Sequence, residues 1–351
     1  MRVVIVIFLL LFFAGIGTVG YLGYPFYRLY RLKDSHATFL EEGKKVHVLI
    51  PSKASPKTVA TILEKKDAIN SIENFLFFAN AKNYNGRRIV PGKYQIKYGM
   101  TYNQLVNHLR AGNGRLNVKI SFHYIKNLAD LAKKVAPQIE ASEKALLNVL
   151  QDSRTAQRYK FKAITFPTMF LPDTYKINWA TSPEKFVKVM ARKYKTFWNR
   201  SNRRKARAQG LSPSEVAVLA SIVQAEQSKR PDEWPKIAGL YLNRLKRNIK
   251  LEADPTVKFA VGQPGLRRVL NKHLKVDSPY NTYRYHGLPP GPLSIPEKGA
   301  ILAVLNPQKH PYIFMCAKPE YSGYHNFSRT LKQHKRYARM YHRWLNKQGI
   351  R

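Results

Sequence analysis

Between residues 44 and 52, KKVHVLIPS, apolar and polar positions alternate with the two-residue period of a strand. Ser55 and Pro56 then open a helical pattern in which Val59, Ile62 and Leu63 share one side. A second helix is predicted over 70–82, followed by a turn at Pro91 and Gly92 beside a short strand. The segment TYNQLVNHLRAG predicts another helix, with Leu105, Val106 and Leu109 inward and Gly112 as its stop. Together these elements describe a small α+β module.

Strand-like alternation followed by a 3.6-residue pattern returns over 116–136, and 144–160 reads as helical. ITFPTMFLPDTYKI holds two prolines and reads as an extended connection with a short strand. From Pro183 to Trp198 a longer helix places Phe186, Met190, Tyr194 and Phe197 on one side, a stripe that core packing explains. The basic run 200–209 reads as a solvated helix extension or linker.

Ser212, Pro213 and Glu215 combine a cap, a first-turn proline and the acidic partner of a capping box. The helix they open runs through EVAVLASIVQAEQ, so Leu219, Ile222 and Val223 share the face of Glu226. A second amphipathic helix, WPKIAGLYLNRLKRN, turns Ile237, Leu240, Tyr241 and Leu245 inward. The stretches ADPTVKFAVGQ, SPYNTYRYHGLPPGPLSIP and YSGYHNFSRT read as loops rich in Asn, Tyr, His and Arg, a composition suited to gripping a polar polymer.

The amino end has a different pattern. Residues 3–27 are uncharged throughout, long enough for one helix to cross a bilayer, and are read here as a retained membrane anchor rather than a cleaved signal. Arg28, Arg31 and Lys33 follow the stretch, a charge balance that does not favour an outward carboxyl side.

Charge widens the choice of partner instead of narrowing it. With 61 Lys and Arg against 21 Asp and Glu, the net charge of +40 attracts nucleic acid, anionic lipid or an acidic envelope polymer alike. Cys316 is the only cysteine, so no intramolecular disulfide forms. His286, His325 and His334 lack the spacing of a metal site, and no phosphate loop, nucleophile elbow or dinucleotide fingerprint occurs. Carboxylates are scarce, and Glu226 admits two readings: a frayed helix end paired with a cation such as Lys229, or a desolvated general acid.

The ordered set LASIVQAE, IAGLYLNRL, EADPTVKFA, SPYNTYRYHGLPPGPLSIP, AVLNP and HNFSRT closely resembles the endolytic murein transglycosylase family, also called YceG-like. The carboxyl-terminal match covers about 211–335, and FLPDTY with the preceding elements extends the likeness over nearly the whole chain. The resemblance implies an α+β fold: an anchor over 1–27, a linker over 28–43, a LysM-like module over 44–115, a connecting α+β region over 116–210 and a mixed α/β catalytic domain over 211–351. It also implies a single-pass protein of the bacterial cytoplasmic (inner) membrane with its catalytic domain on the periplasmic or external side. Peptidoglycan glycan strands and cell-wall synthases are the implied partners. No specific nucleic acid, metal or other cofactor is implied.

Matched onto the family's SIVxxE element, the catalytic glutamate is Glu226, and Gln224 stands where many relatives carry a further Glu. Pro167 and Thr168 replace the common Glu-Gly before LPDTY. Asp254 is implied to shape the cleft or position substrate, although an Asp before Pro also caps turns. Asn281, Tyr283 and Arg284 are implied sugar or peptide contacts, and His325, Ser328 and Arg329 line up as donors or braces. The implied reaction breaks the bond between N-acetylmuramic acid and N-acetylglucosamine and leaves 1,6-anhydromuramic ends. Hydrolysis with Asp254 as second carboxyl, or a non-catalytic peptidoglycan-binding scaffold, are the alternatives.

Overall fold

The computed structural model of the chain describes residues 18, 20–263, 266, 268–320 and 322–349, and divides into two compact units. The first holds Met1–Ile120, Gln138–Glu140 and Lys176–Thr181; the second holds Ser121–Pro137, Ala141–Tyr175 and Ser182–Arg351. The region 116–210 is thus shared between the units, most of it falling in the second.

In the first unit, β1 (Lys45–Ile50) is followed by α1 (Pro56–Glu64), α2 (Ile72–Ala81), β2 (Gly92–Lys97) and α3 (Tyr102–Ala111). β1 and β2 pair antiparallel from Lys45 opposite Lys97 to Ile50 opposite Gly92, which turns Val48, Ile50, Tyr94 and Ile96 toward the core. Ser55 caps α1 as its spacing predicts, by accepting from the Thr58 amide. α3 is closed at both ends: Thr101 and Gln104 form a capping box, and Gly112 stops the helix at φ 66°. Leu105, Val106 and Leu109 are fully buried, with Leu63, Phe75 and Phe78 in the same core. β3 (Arg115–Phe122) and β4 (Asp173–Asn178) complete a sheet of order β1-β2-β3-β4 and carry the chain from one unit to the other.

Three expectations for the amino end are corrected. Most of the stretch 3–27 lies outside the described residues, and among those described no helix is long and apolar enough to cross a membrane. Within the helical residues 20–33, Leu29 and Leu32 pack on the core of the first unit, and Arg28 bonds Glu73 and Asn74. Tyr21, Leu22, Phe26 and Tyr30 of the same helix are exposed. Among the described residues the fold is α+β with no helix that could span a membrane, and the membrane attachment and single-pass inner-membrane location expected to follow from such a helix are withdrawn. Within 28–43, Ala37 and Leu40 are buried, with backbone bonds joining Ala37 to Met100 and Asn70.

The second unit begins with α4 (Leu128–Val135), α5 (Glu143–Gln151) and α6 (Ser153–Arg158), then α7 (Pro183–Phe197) and α8 (Arg200–Ala208). At its centre lies α9 (Pro213–Glu226), in which every residue from Val216 to Val223 is buried. A helix apolar on all sides must be surrounded, and α9 is, by α10 (Trp234–Lys246), α11 (Asp254–Val261) and, after the short α12 (Asn271–Leu274), α13 (Lys298–Leu305). The hairpin β5 (Phe314–Ala317) and β6 (His325–Ser328) pairs antiparallel and is covered by α14 (Leu331–Lys347). Two of the predicted loops are thus partly regular: Asp254 opens a helix and HNFS forms a strand.

Candidate active site

Ser212 and Glu215 close the capping box at the start of α9, with the Glu215 carboxylate accepting the Ser212 amide at 2.8 Å. The helix runs for 14 residues and ends at Glu226, because Gln227 leaves helical geometry at φ −128° and ψ 84°. Glu226 sits at the boundary between the buried helix and a cleft of about 440 Å³. The residue retains some exposure, yet its carboxyl is enclosed by protein, and burial pushes its pKa up from 4.5 to about 7. The Tyr241 hydroxyl opposes this by donating to Oε1 at 2.7 Å; the charge of Asp254 adds to it, and positive charge on Lys258, or on the His325 ring when protonated, opposes it.

Tyr241 reaches Glu226 from α10 and is 2% exposed. Burial and the adjacent Glu226 charge hold its own pKa far above the usual phenol range, so it remains a donor. One turn on, Arg244 is also buried and braces the cleft. Its Nε donates to the Lys250 carbonyl at 2.7 Å, Nη1 to that of Ile313 at 2.8 Å, and Nη2 pairs with Glu252. The same guanidinium lies 5.6 Å from the centre of the Phe314 ring.

Asp254, the exposed first residue of α11, accepts the Tyr283 hydroxyl on Oδ1 at 2.7 Å. Burial, with that bond next, pushes the Tyr283 pKa well up, so this hydroxyl also stays protonated. His325 enters from β6, its Nδ1 2.8 Å from Glu233 Oε2. Glu226, Asp254, Tyr283 and His325 therefore line one cleft, together with Tyr241, Arg244 and β5.

The other sequence candidates lie outside that lining. Asn281 is fully buried, and its amide donates to the carbonyls of Leu274 at 3.0 Å and Val276 at 2.8 Å, holding the loop's shape. Arg284 is exposed, bonds the Lys275 carbonyl and faces Asp277 at 3.7 Å. Ser328 is fully buried, and Arg329 is exposed at the start of α14. Sequence reasoning does not single out Tyr241, Arg244, Glu252 or Glu233 as site residues. Tyr241 looks like one more inward position of its helix, and only its contact with Glu226, 15 residues away, gives it a role.

A larger hollow of about 540 Å³ opens at the far end of α9, beside Ser214 and Glu215. The Glu215 carboxylate there is already committed to the helix cap. Among the described residues, no three His, Cys, Asp or Glu side chains are grouped to hold a metal ion.

The YceG-like family profile matches residues 48–340. The chain is 30% identical over 324 residues to the endolytic murein transglycosylase of Bacillus subtilis (strain 168), across 88% of this chain and 86% of that one. It is 27% identical over 316 residues to the endolytic murein transglycosylase of Streptococcus pneumoniae serotype 2 (strain D39 / NCTC 7466), across 78% of this chain. There it spans 54% of the relative's length. A crystal structure of a yceG-like protein from Listeria monocytogenes is similar at TM-score 0.51 and 26% identity, across 83% of this chain and 98% of that one.

Proposed function

The chain belongs to the YceG-like family, and from that premise we propose that Glu226 is the acid of an endolytic murein transglycosylase that leaves 1,6-anhydromuramic ends. The coarser activity, endolytic cleavage of peptidoglycan of the transglycosylase type, comes with the family. The observation that carries the finer reading is the Glu226 carboxyl itself, desolvated in a cleft, fixed through Oε1 by Tyr241 and raised to about 7. Such a group still holds its proton near neutrality and can deliver it to a leaving oxygen.

In this reading Glu226 protonates the glycosidic oxygen between N-acetylmuramic acid and N-acetylglucosamine. The muramoyl 6-hydroxyl closes on its own anomeric carbon, and no water is consumed. The hydroxyl's proton then passes to a base, a role open to Glu226 itself once it has become a carboxylate. Tyr283 and His325 supply donors or acceptors at the cleft wall. The strand–helix–helix–strand order of the first unit is the proposed glycan-gripping module.

Asp254 in the same cleft favours one rival, hydrolysis by a carboxyl pair. The deciding experiment incubates the protein, beside Glu226→Gln, with intact peptidoglycan and weighs the released ends. Anhydromuramic termini that disappear in the variant support transglycosylation, reducing termini support hydrolysis, and binding without cleavage leaves a scaffold.

A further inference from the structure

Resting on the transglycosylase reading, the geometry around Glu226 raises the question of the second proton. Tyr241 holds Oε1 at 2.7 Å, so the proton to be given away rides on Oε2, the oxygen left for the substrate. A carboxyl so arranged serves as acid first and as base afterwards. It does not do both while the ring is closing. Closure concerted with departure of the leaving group needs another acceptor.

One, His325, lines the same cleft, and Glu233 stands behind it. Glu233 closes the turn Pro231–Glu233 ahead of α10 and is 8% exposed. Its Oε1 accepts the His325 backbone N–H at 2.9 Å, and its Oε2 faces His325 Nδ1 at 2.8 Å and the Gln227 amide at 2.9 Å. Gln227, the residue after Glu226, is pinned in turn: its side chain also donates to the Gly323 carbonyl, and its own carbonyl accepts the Trp234 indole N–H. Burial pushes the Glu233 carboxyl up, but the bonds from the His325 ring and amide and from Gln227 outweigh burial and hold it below the usual range.

In the neutral ring, Nδ1–H donates to an ionised Glu233, which fixes the tautomer and leaves the Nε2 lone pair of His325 for the cleft that His325 and Glu226 both line. The His325 side chain is 16% exposed, so the ring is held by its surroundings rather than free in solvent. A base oriented by a third group recurs in nucleophile activation. Asp254, the other acceptor here, is exposed and already takes the Tyr283 hydroxyl.

We propose that His325, positioned by Glu233, takes the proton of the muramoyl 6-hydroxyl through Nε2 as that oxygen bonds to the anomeric carbon and Glu226 protonates the departing oxygen. One C–O bond forms and one breaks. Glu226 is left as carboxylate and His325 as imidazolium, and exchange of one proton through solvent resets both. His325 is then a catalytic residue, and Glu233 a positioning residue that acts through it.

The test measures initial rates of anhydromuramic ends from intact peptidoglycan for the full chain and for folded His325→Gln, His325→Ala, Glu233→Gln, Glu233→Asp and Asp254→Asn variants. The expected kcat loss is about 10²–10⁴-fold for His325→Gln and at least about tenfold for Glu233→Gln, with KM within about twofold. Glu233→Asp recovers part of the loss, and added imidazole restores turnover to His325→Ala, which a purely structural defect would not allow. If Glu233→Gln does not fold, the imidazole rescue decides. Wild-type turnover with kcat unchanged in His325→Gln, or no rescue of a folded His325→Ala, overturns this inference alone, as does a loss confined to Asp254→Asn. No turnover by the wild-type protein overturns the functional reading along with it.

Discussion

The Tyr241 hydroxyl and Glu226 Oε1 are joined by a 2.7 Å hydrogen bond between α10 and the last residue of α9. The bond favours the carboxylate and so works against the burial that raises the Glu226 pKa to about 7. Tyr241→Phe is expected to raise that pKa further. Because Glu226 must be protonated to act, activity falls as pH rises through its pKa, and the alkaline limb of the kcat profile moves up by about one to two pH units. A limb that stays in place or moves down would show that Tyr241 does not tune the acid.

Asn281 is expected to matter for stability before binding. Its two amide donors go to the Leu274 and Val276 carbonyls, and its side-chain oxygen accepts the Tyr283 amide at 3.0 Å. Asn281→Ala leaves these groups unpaired in a buried loop, at a cost of about 1–3 kcal/mol. Urea unfolding measures it. A variant as stable as wild type but with a raised KM would make Asn281 a sugar contact instead.

Gly239 permits a close approach that no other residue allows. A Cβ there would stand 2.3 Å from the Gln308 carbonyl oxygen and 2.9 Å from His310 Nε2, where bonds from Gln308 N to the Pro235 carbonyl and between His310 and the Lys236 carbonyl fasten the chain to α10. Gly239→Ala gains up to about 1 kcal/mol of helix propensity but forces this segment away, a strain of about 1–3 kcal/mol. The expected net result is a lower Tm; a Tm at or above wild type would mean the segment yields freely.

What is legible in the sequence is local. The Ser212–Glu215 box, the Thr101 helix and the inward faces of α1 and α3 follow from spacings of three and four residues, and the structure reproduces them. Glu226 stands out because seven residues of apolar pattern lead to it. The Asp254 helix is hidden because Asp-Pro reads as a turn, although a proline is acceptable in a first helical turn. β6 is hidden because four residues carry little pattern until Phe314–Ala317 pair with them. Glu233 lies in RPDEW, which reads as a connection, and the burial of Ala37 and Leu40 depends on residues far along the chain. Contacts between distant residues leave no period in a single sequence.

Glu226→Gln carries the sharpest expectation, because activity and stability should move in opposite directions. Removing the ionisable group while keeping an oxygen for Tyr241 should lower the rate of end formation by about 10²–10⁴-fold without loss of fold. Stability follows from the sign of the shift. With the folded pKa raised from 4.5 to about 7, the wild-type protein is most stable while Glu226 is neutral in both states, loses stability as pH rises between those values, and stays at the lower level above them. The amide of the variant never ionises, so that loss is absent, and above pH 7 the variant should exceed wild type by up to about 3 kcal/mol. Near pH 4 the two should unfold at similar urea concentrations. A glutamate at a solvated helix end would show neither effect, so equal stability at pH 8 together with near-normal rates would remove Glu226 from the mechanism.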